Sequence, residues 1–266
     1  MFEIHGHRGC RGLYPENTIV GVKHALELGV HAVEIDLVVT KENQLVVSHE
    51  PWMSAEYCLH PNGSRIDEES QKQLNIFEMS YDEIALFDCG SLPHPKFPHQ
   101  RNEHHAKPLF RDLIKVIRKT RFTDFYYNIE VKSERQWYGE YQPEISEYVD
   151  IIVSEIKQLR LREQCMIQSF DPAILNGLHR AYPKLRLGFL IENMDSFHRN
   201  MERLQFTPEY YNVDFTLVDE LLVKEVHNRG MKIIPWTVNE INDAQRLVDL
   251  DVDGLITDYP DRLLGL

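Results

Sequence analysis

The chain has 266 residues, of which 42% are hydrophobic and 10% aromatic, a make-up that suits a globular protein and leaves room for one large α/β barrel or two small domains. Its formal net charge of −13 argues against nucleic acid as a partner, because phosphate backbones attract basic patches and repel acidic surfaces. No apolar run nears the roughly 20 residues needed to span a bilayer, so stable membrane insertion is not expected.

Met1-Phe2-Glu3-Ile4 reads as a first strand with no charged or apolar leader before it. Four cysteines, Cys10, Cys58, Cys89 and Cys165, are few and widely spaced. Together these features predict a cytoplasmic protein with reduced thiols rather than a disulfide framework. The strand runs into His5-Gly6-His7-Arg8-Gly9, where glycines let the backbone turn sharply and a ligand approach closely. His7 and Arg8 are therefore expected at the carboxyl end of a strand. Asn17 or Thr18 caps a helix whose apolar residues Ile19, Val22, Ala25, Leu26 and Val30 recur at helical spacing, and Gly29 stops it.

A second strand spans Ala32 to Leu37. Alternation puts Glu34 and Asp36 on one face and Val33, Ile35 and Leu37 on the other. Two carboxylates so placed repel each other unless a positive charge lies between them, and a hard divalent cation fills that role. The same alternation also describes the polar face of a half-exposed strand. What favours the cation is the next segment, in which Thr40 to Gln44 turns into Leu45-Val46-Val47-Ser48-His49. An antiparallel hairpin there returns His49 to the level of the two carboxylates.

Seven further runs join the first strand, Phe2 to His7, in a count of eight: Ala32 to Leu37, Phe125 to Val131, Met166 to Ser169, Leu185 to Ile191, Tyr210 to Phe215, Met231 to Trp236 and Gly254 to Thr257. Helical segments separate the later ones: Leu109 to Lys119, Glu144 to Leu159, Pro172 to Tyr182, Asp195 to Leu204, Val218 to Arg229 and Glu240 to Leu250. Repeated strand and helix predict a (β/α)8 TIM barrel, with a doubly wound open sheet as the alternative. The closing helix must come from the short tail Pro260 to Leu266. Between Glu50 and Lys107 the pattern fails, in a stretch with several prolines and a His-rich run from His94 to His105. The expected division is a barrel of residues 1–50 and 107–266, with an insertion, 51–106, lying over the barrel mouth after the second strand and its hairpin. Ser80 to Phe87 reads as a short capped helix inside it.

The motifs His7-Arg8-Gly9, Pro15-Glu16-Asn17-Thr18, Val33-Glu34-Ile35-Asp36 and Val47-Ser48-His49 follow one another in an order and spacing that resembles the glycerophosphodiester phosphodiesterase family. The likeness continues through Asn128-Ile129-Glu130-Val131-Lys132, Ile167-Gln168-Ser169-Phe170-Asp171, Pro235-Trp236-Thr237-Val238-Asn239 and Asp253-Gly254-Leu255-Ile256-Thr257-Asp258. It spans nearly the whole chain apart from the insertion. It implies a metal-dependent enzyme that hydrolyses a small-molecule glycerophosphodiester to an alcohol and glycerol 3-phosphate.

Barrel enzymes draw their catalytic groups from the carboxyl ends of several strands. Glu34, Asp36 and Glu130 suit an oxygen-liking cation, Mg2+ or Ca2+, and the resemblance implies the same three as ligands. His7 and His49 are the candidate general base and acid, since imidazole titrates near neutral pH. Arg8 and Lys132 are placed to neutralise phosphate oxygens, although Glu130 and Lys132 could be a plain same-face ion pair. Glu16 and Asn17 are expected to support these groups rather than react. Trp236 could be core; the resemblance suggests instead an apolar wall near the glycerol. Trp52 and Met53 could touch the leaving group or pack the insertion.

Two features depart from the family. Glu50 stands where aspartate is more usual, and Trp52-Met53-Ser54-Ala55 replaces the usual leucine-arginine-threonine segment. Three other readings compete. A non-catalytic phosphodiester-binding barrel is one, opposed by competent residues at every key position. A lipase-like barrel acting on phosphoinositides or choline lipids lacks a basic face. A metal-dependent amidohydrolase-type barrel would use His5 with His7 and the last-strand Asp258, but lacks histidines at Gln168-Ser169 or Ile191-Glu192. Cys58, His60, Cys89 and the run from His94 to His105 match no standard zinc spacing and are expected to form a solvated loop.

Overall fold

The alternation of strand and helix closes on itself. In a computed structural model, which describes residues 2–265, the elements in chain order are β1 (Glu3–Gly6), α1 (Ile19–Leu28), β2 (Ala32–Val39), β3 (Leu45–Val47), α2 (Tyr81–Ile84), α3 (Phe110–Ile117) and β4 (Tyr126–Val131). There follow α4 (Ile145–Gln158), β5 (Cys165–Ser169), α5 (Pro172–Ala181), β6 (Arg186–Ile191), α6 (Phe197–Met201) and β7 (Tyr210–Val213). The chain ends with α7 (Glu220–Asn228), β8 (Lys232–Ile233), α8 (Ile241–Asp249), β9 (Gly254–Thr257) and α9 (Pro260–Leu263). Met1 of the expected first strand and Leu266 of the expected closing helix lie outside the described residues.

Eight parallel strands run in the order β8-β7-β6-β5-β4-β2-β1-β9. The ring shuts between its two ends, where Asp253 N donates to Ile233 O and Ile256 N to Pro235 O, each at 2.9 Å. This is the (β/α)8 TIM barrel expected from the strand count. β8 is only two residues long, against an expected Met231 to Trp236, because Pro235 has no N–H to give a ladder. β3 leaves the ring and pairs antiparallel with β2, Leu37 opposite Val47, which is the predicted hairpin.

One large apolar cluster fills the space between the outer strand faces and the helices, with Val33, Ile35, Ile129 and Ile167 meeting Leu113, Ile152, Leu175 and Leu178. The barrel interior carries polar residues. Glu3, His5, Tyr126 and Asn128 form a bonded group there, with Tyr126 Oη 2.9 Å from His5 Nε2 and Asn128 Nδ2 3.3 Å from His5 Nδ1. Fully buried, His5 takes part in this group and not in the cluster of acidic residues that could hold a metal, so the amidohydrolase reading loses its histidine pair.

The stretch between β3 and α3 packs around its own apolar cluster, in which Met53, Tyr57, Cys58, Ile76, Ile84, Phe87 and Cys89 meet Val38, Val46 and Leu109 of the barrel. α2 begins with a capping box between Ser80 and Glu83. Two expectations fail here. Cys58 and Cys89 are joined by a disulfide rather than reduced, and only Cys10 and Cys165 are free. The solvated loop expected around the Cys/His cluster is also partly buried, with Cys58 at 0%, Cys89 at 4% and His94 at 4% exposure. The reason is a pairing that the spacing concealed: Leu59 and Asp88 exchange backbone hydrogen bonds at 2.7 and 3.2 Å, which brings neighbours 31 residues apart within bonding reach. Trp52 packs edge-on against Trp137 and Tyr141, and Met53 is fully buried. Both side chains thus have packing partners, one of their two expected roles.

Candidate active site

The turn after β1 builds the floor of the site. Arg8 and Asn17 both adopt left-handed φ, +48° and +57°, which is uncommon for residues with a Cβ and concentrates at functional sites. Gly9 makes the turn possible: its φ is +88°, and a Cβ there would meet Gly21 C at 2.8 Å and Val22 N at 2.9 Å. The strained turn aims Arg8 N at Glu34 Oε2, 2.8 Å away. Thr18, not Asn17, caps α1, its Oγ1 accepting from Gly21 N at 3.1 Å. Asn17 is thereby free to clamp Asp36, donating from Nδ2 to Oδ2 at 2.9 Å and accepting Asp36 N at 3.2 Å. Glu16 holds Arg8 Nη1 at 2.8 Å and lies 3.7 Å from Arg11 Nη1. The supporting roles expected for Glu16 and Asn17 match this geometry.

Parallel register sets Asp36 directly beside Glu130 on β4. Glu34, Asp36 and Glu130 place one carboxylate oxygen each within 4.8 Å of one another. All three are buried, and among the described residues Glu34 Oε1 and Asp36 Oδ1 are buried oxygens with no hydrogen-bond partner. Burial, with Asp36 and Glu130 alongside, holds the Glu34 carboxyl well above the usual carboxylate range. Burial also raises Asp36, but His49, Arg8 and Lys132 outweigh it and keep that carboxyl below its ordinary value. Lys132 Nζ donates to Glu130 Oε1 at 2.6 Å and stands 4.0 Å from Asp36 Oδ1. Arg8 Nε lies 3.4 Å from Asp36 Oδ2, an ion-pair contact without hydrogen-bond alignment. Oxygen ligands with unsatisfied lone pairs, buried and mutually repelling, fit a hard divalent cation.

Each histidine has its own carboxylate. His7 Nδ1 donates to Asp258 Oδ1 at 2.6 Å, which leaves Nε2 facing Glu34 Oε2 at 3.9 Å. Asp258 is pinned in turn by Arg11 Nε at 2.7 Å and Asn239 Nδ2 at 2.8 Å. Burial and Arg11 push the His7 imidazole down to about 4 against the pull of Asp258, so Nε2 carries a free lone pair at neutral pH. His49 Nδ1 meets Glu50 Oε1 at 2.7 Å. The longer side chain of Glu50 lets it reach back to the ring beside it in sequence.

These groups surround a cavity of about 400 Å³. Its lining includes seven of the eight predicted site residues, His7, Arg8, Glu34, His49, Glu130, Lys132 and Trp236, and Asp36 lies in the acidic trio behind them. Trp236 meets Phe170 edge-on at 5.4 Å, forming an aromatic wall. Sequence reasoning missed Arg11 and passed over Asp258 as the partner of His7 and Asn239 as a partner of Asp258. Arg11 had a readable signal, being the next cation after the glycine turn, whereas the Asp258 contact spans 251 positions and needs the closed ring.

A model of the glycerophosphoryl diester phosphodiesterase family matches residues 7–262. The glycerophosphodiester phosphodiesterase of Caldanaerobacter subterraneus subsp. tengcongensis is 30% identical over 264 residues, covering 98% of this chain and 95% of its own. That of Bacillus altitudinis is 25% identical, covering 100% of this chain and 98% of its own. The crystal structure of a Silicibacter pomeroyi protein named for the same family superposes with a TM-score of 0.89 at 27% identity, covering 99% of this chain and 92% of that one.

Proposed function

Because the chain belongs to the glycerophosphoryl diester phosphodiesterase family and is an enzyme that hydrolyses glycerophosphodiesters, we propose that it does so in this cavity, with a divalent cation, Mg2+ or Ca2+, held by Glu34, Asp36 and Glu130. When bound, such a cation would supply Lewis-acid charge to the phosphodiester oxygens. His7, its Nδ1 committed to Asp258, takes or returns a proton through Nε2. His49, backed by Glu50, serves the opposite proton transfer. Lys132 and Arg8 add positive charge where the phosphate oxygens accumulate negative charge, and Trp236 with Phe170 forms the apolar wall for the glycerol. The attacking oxygen is water, or the neighbouring glycerol hydroxyl followed by water that opens the cyclic phosphate so formed; in both cases the bond from phosphorus to the alcohol oxygen breaks, the alcohol leaves with a proton, and glycerol 3-phosphate remains.

The observation that carries this reading is the pair of partnerless buried oxygens, Glu34 Oε1 and Asp36 Oδ1, beside one another where Glu34 and two carboxylate-backed imidazoles line the cavity. Buried oxygens left without a partner cost stability and are expected where a ligand completes them. The division into a barrel, 1–50 and 107–266, and an insertion, 51–106, is part of the same proposal and is supported by the insertion's separate apolar cluster. Among the described residues no helix is long and apolar enough to cross a membrane. The Cys58–Cys89 bridge removes one of the two supports for a cytoplasmic location, since disulfides persist in oxidising compartments.

The test is release of glycerol 3-phosphate from several glycerophosphodiesters before and after chelation, with thermal stability followed in parallel. Activity and stability should both fall on chelation and both return with Mg2+ or Ca2+. Folded, metal-supplemented protein that turns over none of the substrates would overturn the proposal.

A further inference from the structure

None of residues 51–106 lines this cavity, yet this stretch reaches His49 through a partly buried chain of bonds. Tyr57 Oη donates to Glu50 Oε2 at 2.7 Å, while Glu50 Oε1 meets His49 Nδ1 at 2.7 Å. Lys107 Nζ donates to Tyr57 Oη and to Ser48 Oγ, both at 2.8 Å, and sits 4.6 Å from the Tyr57 ring centroid. Ser48 Oγ closes the loop by donating to Glu50 O at 2.7 Å.

The energetics of this group ask for an explanation. Lys107 is 4% and Tyr57 5% exposed, and Lys107 spends its hydrogen bonds on two hydroxyls while its countercharge, Glu50, sits one residue further along the chain of bonds. Burying an ammonium this way is expensive, and apolar residues of the same volume would serve a folding role as well or better. What the arrangement does achieve is a fixed Glu50. One carboxylate oxygen is held by Tyr57, the hydroxyl of Tyr57 is oriented by Lys107, and the other oxygen is left with a single direction in which to hold the His49 ring. The same segments are tied together behind the site, because Cys58 follows Tyr57, its disulfide partner is Cys89, and Cys89 N donates to His105 O at 2.7 Å two residues before Lys107.

We infer that Tyr57 and Lys107 are positioning residues for the phosphodiester reaction, holding Glu50 so that it fixes the orientation of His49; the stretch 51–106 is thus part of the catalytic apparatus. The inference rests on the proposed role of His49. It also accounts for glutamate at position 50, whose length lets one carboxylate bridge the adjacent imidazole and a tyrosine from the inserted stretch.

The experiment compares Tyr57→Phe and Glu50→Gln, both nearly isosteric, with His49→Ala and with each double variant, using folded full-length enzyme loaded with Mg2+ or Ca2+. Near-ultraviolet circular dichroism confirms packing. Each of the first two should lower kcat about tenfold, as loss of a charge-assisted hydrogen bond does, with KM within about twofold. Neither should lower activity further in the His49→Ala background, because the residue they position is gone. Unchanged kcat in both Tyr57→Phe and Glu50→Gln beside an impaired His49→Ala would overturn the inference alone, as would losses that persist undiminished in the double variants. Full activity in His49→Ala would instead remove the reading beneath it.

Discussion

Replacing Asp258 by asparagine tests whether His7 works only when held. Asp258 accepts from His7 Nδ1 at 2.6 Å and Arg11 Nε at 2.7 Å on one oxygen, and from Asn239 Nδ2 at 2.8 Å on the other. Asn239 cannot reorient freely, since its Oδ1 already accepts Asp258 N at 3.0 Å and Thr257 Oγ1 at 3.3 Å. An amide at 258 has one accepting oxygen where three donors converge, so either Asn239 alone or His7 and Arg11 together face an NH2 group, depending on which way it turns. A hydrogen bond to a charged group contributes about 1.5–3 kcal/mol, and each 1.4 kcal/mol is a factor of about ten in rate. Asp258→Asn should therefore lower kcat by about 10- to 100-fold, with KM nearly unchanged, in an assay of glycerol 3-phosphate release. Full kcat in the variant, alongside inactivity of His7→Ala, would refute the claim that this carboxylate directs the imidazole.

Metal binding can be read without turnover: cation at a hundred times its dissociation constant adds about 2.7 kcal/mol, or about 5–10 °C in Tm for a chain of this size. Asp36→Asn should abolish that increment, and an undiminished Tm rise would place the cation elsewhere. Glu3 links stability to pH at the opposite end of the barrel. Burial disfavours its ionisation, but the bonds from His5 and Tyr126 prevail and hold the carboxyl down to about 2. Ionised Glu3 therefore stabilises the fold fully above the usual carboxylate range, and that contribution drains away as pH falls toward 2. The urea-midpoint deficit of Glu3→Gln should be widest near neutral pH and close in acid; a gap constant from pH 7 to pH 3 would contradict it. Opening the Cys58–Cys89 loop, with its separation of 31 residues, should cost about 3–4 kcal/mol by the chain-entropy relation. Urea denaturation of a Cys58→Ser, Cys89→Ser variant measures it, and an unaltered midpoint would show that the bridge adds nothing.

Much of the site was legible because its residues sit on strands, where the period of two decides which way a side chain faces. Glu34 and Asp36 could be paired from β2 alone, and His49 followed from the hairpin to β3. The strand and helix count likewise sufficed for the barrel, with β9 recovered at its exact limits, Gly254 to Thr257. What escaped was anything fixed by ring closure or by irregular backbone. Asp258 was visible as a last-strand carboxylate, but nothing local to it points to His7. The inserted stretch has no periodicity, so neither the Leu59–Asp88 pairing nor the disulfide it enables could be seen, and Tyr57 and Lys107 carried no pattern at all.

The seam where β1 lies against β9 joins residues 3–6 to residues 254–257 and sets His7 against Asp258. A ribosome making this protein must thus release almost the entire polypeptide before the His7 imidazole meets its anchor. Nascent chains stalled between Glu130 and Asp258 carry the acidic trio and both imidazoles yet lack that anchor. The His7–Asp258 contact can therefore form only once the last strand has been added to the ring.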